Sequence, residues 1–464
     1  MGRGIKGLIL TGIIILALLL RLKGITNPLL DDQAWRQADT ASIALHMSGK
    51  LADFPEVFFP HLSYDAAVPQ KVELEFPFLP YLLACTWSLL GWSDVWGRLW
   101  SVLFSILTVW GIYNFAGRIF SERVGLLASA IYAVMPLSVY YGRVIMPEPV
   151  AQCFSIWALD LIWSRRNTPG LSKLLGAGLL LAAAILAKLP QLMLLPVALF
   201  LGFWPFRRSE LLTIMIYLLF TLFLPVVYYI WVHFGSENSL QFVSGIFSGQ
   251  IVGTGAAYWE ELGNNLNAGG MAFPIIVLAL AGGLRLVFSP SLARTGLVVW
   301  LLVCLLYVGI VCSRISLDYY LVPVVPLTAI LCALALDFLN DIPGTVGGMI
   351  VVCLLCFYTV QTLDPKYSWD NRYLVQAEWL KQNTPAHSNL ILSDCTPMTF
   401  YYARRVGFRL LDQDDREALA QLETLPALYL VHLPESGRKA EFWQTIKNKY
   451  PEIGPGVYLL GKIS

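Results

Sequence analysis

Long apolar runs, interrupted at intervals by short polar or basic stretches, organise this chain. Runs close to the 17–25 residues that a membrane-crossing helix needs occur at 5–21, 98–118, 124–141, 148–163, 172–187, 191–206, 211–233, 272–289, 295–312, 319–337 and 343–361. A twelfth apolar stretch, 77–92, is short and is broken near its start by Pro77 and Pro80. After Leu363 the pattern changes. Residues 364–464 are mixed and charged, with helical periodicity at Gln376–Asn383, Thr399–Arg405 and Gly437–Tyr450. Strand-like runs lie at Asn389–Ser393, Ala427–His432 and Gly456–Gly461. Alternating helix and strand predict a small α/β domain, 364–464, appended to a membrane module, 1–363.

Basic residues set the expected topology, because Arg and Lys favour the cytoplasmic side. If 77–92 does not cross, then Arg118/Arg123, Arg165/Arg166, Arg207/Arg208 and Arg285/Arg294 all fall inside with the basic N-terminus. If it crosses, all four pairs fall outside. The first arrangement predicts a mainly α, polytopic protein of eleven spans. Helix 77–92 then lies at the outer interface, the N-terminus is cytoplasmic and the C-terminal domain is outside. Two long segments, 22–97 and 234–271, and three short loops, 142–147, 188–190 and 313–318, face outward. Arg21, Leu22 and Lys23 follow the first run where a small-residue cleavage site would stand, so that run reads as an uncleaved span. No internal repeat of the kind found in many transporters is visible.

Composition agrees with the pattern. The chain is 57% hydrophobic and only 14% charged, against about 25% charged in soluble domains, which places it in the bilayer. A net charge of +1 gives no sign of nucleic-acid binding. Of eight cysteines, Cys85, Cys153, Cys304, Cys312, Cys332, Cys353 and Cys356 sit in apolar segments and read as small core residues. The C-terminal region holds His387, His432 and Cys395 without a nucleophile elbow, phosphate loop or metal spacing, and reads as a docking or acceptor-binding cap.

Candidate chemistry gathers in the segments assigned to the outer side. Residues 27–46 carry Asp31, Asp32, Arg36, Gln37, Asp39 and His46 directly after the first span. Segment 22–97 adds His61, Asp65 and Glu75. Later loops and their continuations add Arg143, Glu148, Lys188, Arg314 and Asp318, the last followed by Tyr319 and Tyr320. A carboxylate just outside a bilayer can serve as general base toward a hydroxyl or amine. Arg and Lys at that depth can hold a phosphate, Arg by a bidentate fork and Lys as a point charge. Base plus phosphate-binding cations beside lipid suggests group transfer from a lipid-phosphate donor. Carboxylates also suit Mg²⁺ or Mn²⁺, although no compact DxD is present. Simpler uses compete. Arg143 and Lys188 can anchor at headgroup level, and Glu148, after Pro147, suits a helix N-terminus. Asp39 and His46 read as ordinary loop polarity.

Six motifs together resemble the C-type (GT-C) membrane glycosyltransferases that use polyprenyl-phosphate sugars. The nearest branch is that of protein O-mannosyltransferases and lipid A aminoarabinose transferases (glycosyltransferase family 39-like). They are Leu-Leu-Asp31-Asp32-Gln-Ala-Trp-Arg36-Gln37-Ala-Asp-Thr40, Glu75-Phe-Pro-Phe-Leu-Pro-Tyr, Gly-Arg118-Ile-Phe-Ser-Glu-Arg123, Tyr-Tyr-Gly-Arg143-Val-Ile-Met-Pro-Glu148-Pro, Ala-Lys188-Leu-Pro and Asp318-Tyr-Tyr-Leu-Val-Pro. The resemblance covers roughly 5–340. It implies inverting transfer, metal-independent or metal-assisted, with the first-loop acid as base. That position falls on Asp31, with Asp32 adjacent. It further implies substrate-binding roles for Glu75, Arg143, Glu148 and Tyr319, and phosphate contacts from Lys188 and Arg314. Trp35, Arg36 and Gln37 look like a subgroup signature that positions substrate. The implied partners are a polyprenyl-phosphate sugar and a lipid, glycan or protein acceptor. Segment 234–271, with Tyr258, Trp259, Glu260 and Glu261, is placed to cover the site. Two other readings share these features: a transporter or flippase of lipid-linked sugars, and a ligase or polymerase of lipid-linked oligosaccharides.

Overall fold

The computed structural model describes residues 3–237, 260, 263, 264, 266, 273–288, 291–312, 317–338, 341–394, 397–410, 414–433 and 437–461. The expected covering segment, including Tyr258, Trp259 and Glu261, lies almost wholly outside the described residues, as do Arg314 and Cys395. The chain divides into two compact units. One comprises 1–25, 97–231 and 241–365; the other comprises 26–96, 232–240 and 366–464.

The first unit is helical. In chain order it holds α1 (Arg3–Leu22), most of α4 (Asp94–Ile119), α5 (Glu122–Val134), α6 (Pro136–Tyr141), α7 (Glu148–Ser164), α8 (Leu171–Ala187), α9 (Leu195–Phe203), most of α10 (Leu211–Gly235), α11 (Phe273–Phe288), α12 (Leu292–Tyr307), α13 (Val325–Asp337) and α14 (Asp341–Leu363). Each predicted span is helical over most of its described residues. Six described helices are long and apolar enough to cross a membrane. Others are divided where a proline stops the ladder: α5 ends before Pro136, and 3-10 turns at Leu189–Leu194 and Asp318–Val324 precede α9 and α13. Helix α13 is apolar all round and almost wholly buried, so it forms the unit's centre. It packs on α11 through a backbone contact. A Cβ at Gly282 would stand 1.9 Å from the Leu331 carbonyl oxygen, so the position requires glycine.

Arg21, at the end of α1, is fully buried and satisfied. Its guanidinium donates to Ser105 Oγ (2.6 Å), Ala133 O (2.9 Å), Ala17 O (3.0 Å) and both oxygens of Ser138. This charge locks α1 to α4, α5 and α6.

The second unit joins the first long polar segment to the C-terminal residues. It holds α2 (Ala34–Met47), a ribbon of β1 (His61–Leu62) and β2 (Gln70–Lys71), α3 (Phe78–Leu90), α15 (Arg372–Asn383), β3 (Leu390–Leu392), α16 (Met398–Ala403), β4 (Gly407–Arg409), α17 (Asp415–Thr424), β5 (Tyr429–Val431), α18 (Ala440–Lys449), β6 (Glu452–Gly454) and β7 (Val457–Leu459). Its sheet runs β4-β3-β5-β7-β6, with β4, β3 and β5 parallel and β7 antiparallel to both neighbours. Ile391, Leu430, Phe442, Ile446 and Tyr458 fill the core between sheet and helices. Helix α3 has 13 residues and so a length of about 20 Å, shorter than a hydrocarbon core of about 30 Å. It packs against α2.

Segment 63–66 continues the sheet beyond β4. The Gly407 N–H donates to Ser63 O (3.0 Å), and the Ala66 N–H donates to Gly407 O (3.1 Å). A segment read as a loop of the membrane module thus pairs edge to edge with the C-terminal sheet.

Candidate active site

Each unit gathers its own cluster of the expected residues. In the first unit, Glu148 opens α7 after Pro147, and Lys188 stands in extended conformation where α8 gives way to a 3-10 turn. The Lys188 ammonium lies 2.7 Å from Glu148 Oε1, with the two side chains only 4% and 2% exposed. It also lies 4.9 Å from the ring centre of Tyr319 and 5.6 Å from that of Tyr320, a cation–π arrangement. These rings stack at 4.7 Å. The Tyr141 hydroxyl donates to Asp318, and its ring packs edge-on to Tyr319. Arg143 is fully buried, donates to Gly24 O (2.6 Å) and lies over the Tyr140 ring. Glu148, Lys188 and Tyr319 therefore meet, whereas Arg143 is held by backbone and by an aromatic face.

The second unit holds the carboxylates of the first motif. Asp31 is 2% exposed and accepts from Gln37 Nε2 at 2.7 Å; the same amide donates to Asp32 O at 3.0 Å. Asp32 is more open and is bound to Lys366 twice. The Asp32 N–H donates to Lys366 O (3.1 Å), and the Lys366 ammonium donates to the Asp32 carboxylate. The neighbouring acids thus differ in setting: Asp31 is buried and accepts from the Gln37 amide, and Asp32 is more open and accepts from the Lys366 ammonium. Arg36 and Glu75 form a buried ion pair at 2.5 Å. One turn on, Asp39 accepts from the Tyr64 hydroxyl (3.2 Å). Burial pushes its carboxyl up to about 6, against the opposing pull of Arg36 and Arg409. Arg409 in turn forks onto Asp65 at 2.6 and 3.1 Å and stacks 3.7 Å over Tyr64.

Sequence reasoning missed Tyr141, Lys366 and Arg409, and it set Asp39 aside. Tyr141 was visible beside the Arg143 motif. Lys366 and Arg409 carry no local signal, since each meets its acid across more than 300 residues. Among the described residues no three His, Cys, Asp or Glu side chains form a group that would hold a metal ion. Asp32 is matched to an ammonium instead.

Comparison with known proteins identifies the fold. ArnT from Cupriavidus metallidurans bound to undecaprenyl phosphate superposes with a TM-score of 0.63 at 14% identity, over 98% of this chain and 99% of that one. The archaeal oligosaccharyltransferase AglB from Archaeoglobus fulgidus, in complex with an inhibitory peptide and a dolichol-phosphate, gives 0.62 at 12% identity, over 92% of this chain and 69% of that one. The chain has the polytopic fold of the C-type membrane glycosyltransferases. Residues 74–231 match the family model of dolichyl-phosphate-mannose-protein mannosyltransferases. No curated protein sequence matches the chain.

Proposed function

We propose that the protein is an inverting glycosyltransferase. It moves a hexose or pentose from a polyprenyl-phosphate donor to a hydroxyl or amine of a lipid, glycan or protein acceptor at the outer face of the membrane. The observation that carries this reading is a buried, oriented carboxylate in the first motif. Asp31 is buried and accepts from Gln37, and the adjacent Asp32 is ion-paired with Lys366. The matching family model and the polyprenyl phosphates named with two neighbours of the same fold support the donor class.

Asp31 takes the proton from the acceptor O–H or N–H as that atom attacks the anomeric carbon. The bond from that carbon to the phosphate oxygen breaks, and polyprenyl phosphate departs with the electron pair. A single displacement inverts the anomeric centre. A phosphate leaves as a stable anion, so no general acid is required. Lys188, backed by Tyr319 and Tyr320, holds the phosphate as its charge grows. Arg36 and Glu75 orient the substrates. The competing transporter reading expects charge near the middle of broken helices; here Glu148, Lys188 and Asp318 stand at helix ends.

The test uses purified protein in detergent, a panel of radiolabelled polyprenyl-phosphate sugars, and release of free polyprenyl phosphate as the readout. Asp31→Asn lowers turnover by about 100-fold or more on an accepted donor, and Asp32→Asn lowers it far less. Turnover by Asp31→Asn at the wild-type rate removes Asp31 from the base role.

A further inference from the structure

The segment that carries Asp31 is held by the chain's C-terminal residues, and those contacts converge on its two ends. Asn27 Nδ2 donates to Tyr367 O (3.1 Å). The Leu29 N–H donates to the Tyr402 hydroxyl (2.6 Å), and that hydroxyl donates onward to Asp94 Oδ2 (2.9 Å). Tyr401 donates to the other oxygen of Asp94 (2.5 Å). Lys366 then takes both the backbone and the carboxylate of Asp32. Directly after this clamp the chain turns through Gln33 at φ +58°, a left-handed conformation that few non-glycine residues adopt. The turn starts α2 so that Gln37, one turn in, reaches back to Asp31 and to the Asp32 carbonyl. A strained residue persists where its surroundings over-determine it, and here Lys366 fixes one side and Gln37 the other.

We propose that Lys366 is a positioning residue for the transfer reaction, acting through Asp32 to aim the Asp31 carboxylate, and that Lys366, Tyr367, Tyr401 and Tyr402 form part of the catalytic scaffold. This rests on the reading of Asp31 as base. The pair has two effects. It fixes the backbone at Asp31–Gln33, so that the carboxylate oxygen not bound by Gln37 keeps one direction. It also neutralises Asp32, so that Asp31 does not share its surroundings with a second bare negative charge. Positioning of this kind acts on the chemical step, since a displacement of about 1 Å costs on the order of 100-fold.

The experiment measures kcat and donor KM for Lys366→Met, Lys366→Arg, Asp32→Asn and Lys366→Met/Asp32→Asn, with thermal unfolding in detergent as the fold control. Lys366→Met lowers kcat about tenfold or more with donor KM unchanged, and Lys366→Arg recovers most of the loss. In the Asp32→Asn background Lys366→Met has less than about a twofold further effect, because the pair acts as a unit. Tyr402→Phe, which removes the acceptor for Leu29, also lowers kcat rather than raising KM. Equal effects of Lys366→Met in both backgrounds, or a rise in KM at constant kcat, overturn the proposal. Asp31→Asn serves as a separate arm. If it turns over normally while Lys366 and Asp32 remain coupled, the base assignment fails and the clamp stands as structural only.

Discussion

At the scale of single residues, the Lys188–Glu148 pair separates stability from function. Both side chains are nearly inaccessible, so removing one partner strands the other charge. Such losses run to about 3–5 kcal/mol, whereas replacing both partners by neutral groups of similar volume is often harmless. Lys188→Met therefore lowers the unfolding midpoint in detergent, and Lys188→Met/Glu148→Gln restores most of it. If Lys188 also holds the donor phosphate, the double variant is stable yet binds polyprenyl phosphate about tenfold or more weakly. Unchanged affinity in that variant makes the pair purely structural. Both residues were visible in the sequence, because a charge next to an apolar run is costly and therefore conspicuous. Their partnership was not visible. Nothing in the composition around Lys188 names Glu148, and nothing around Asp32 names Lys366. Pairing is a property of the fold.

Helix α2 shows the same limit one scale up, and it yields a pH test. It buries Arg36, Gln37, Asp39 and Thr40 on its packed side, so its pattern lacks the apolar stripe by which helices are recognised. The membrane helices were legible because lipid demands unbroken apolar runs; α2 was legible only as chemistry. The β4 edge that pairs with 63–66 was missed because two short polar stretches carry no period. Within α2, the buried Asp39 and the part-buried His46 titrate in opposite senses. Burial raises Asp39 from 3.8 to about 6, so the fold favours its protonated form. That contribution is complete below about pH 4 and is lost as pH rises through 6. Burial, with His61 and Lys50 nearby, lowers His46 from 6.5 to about 4, so the fold favours neutral imidazole. Its contribution is present above pH 6.5 and is lost as pH falls toward 4. Between pH 4 and 6.5 the two slopes oppose, and wild-type stability changes little on their account. Asp39→Asn leaves only the histidine, so its unfolding midpoint falls on acidification across this window. His46→Gln leaves only the acid, and its midpoint rises on acidification. Thermal scans at half-unit pH steps read both. An Asp39→Asn profile parallel to wild type shows that the Asp39 carboxyl does not titrate in this window.

At the scale of the whole molecule, the helical unit is electrically two-ended. Lys6 pairs with Glu122, and Arg118 reaches Asp160 at 2.8 Å. Arg123 and Arg285 share Asp337 at 3.9 and 3.3 Å. Arg166 caps the end of α9 through Leu201 O (2.9 Å) and Trp204 O (2.7 Å). Members of three of the four basic pairs that set the topology from sequence, Arg118, Arg123, Arg166 and Arg285, are therefore joined at helix ends by specific contacts. Helix α7 carries Glu148 at its start and leads into Arg165 and Arg166 at its end, separated by about 26 Å of helix. The phosphate-binding candidates and the basic ends thus stand about one bilayer core apart. The tendency of Arg and Lys to remain in the cytoplasm predicts the basic ends inside and Glu148 and Lys188 outside. Helix α4 has 26 residues, about 39 Å, and carries Arg118 in its last turn, so the same rule predicts that Ser93, just before its start, lies outside. The check is maleimide labelling of intact cells expressing Ser93→Cys or Ser209→Cys in a background without native cysteines. Ser93→Cys reacts with an impermeant reagent added outside, and Ser209→Cys, beside Arg207 and Arg208, reacts only after the membrane is opened. The reverse pattern inverts the protein and moves the proposed transfer to the cytoplasmic face. Labelling of both positions from the same side means that an even number of the five runs between them cross, and the parity on which the eleven-span arrangement depends then fails.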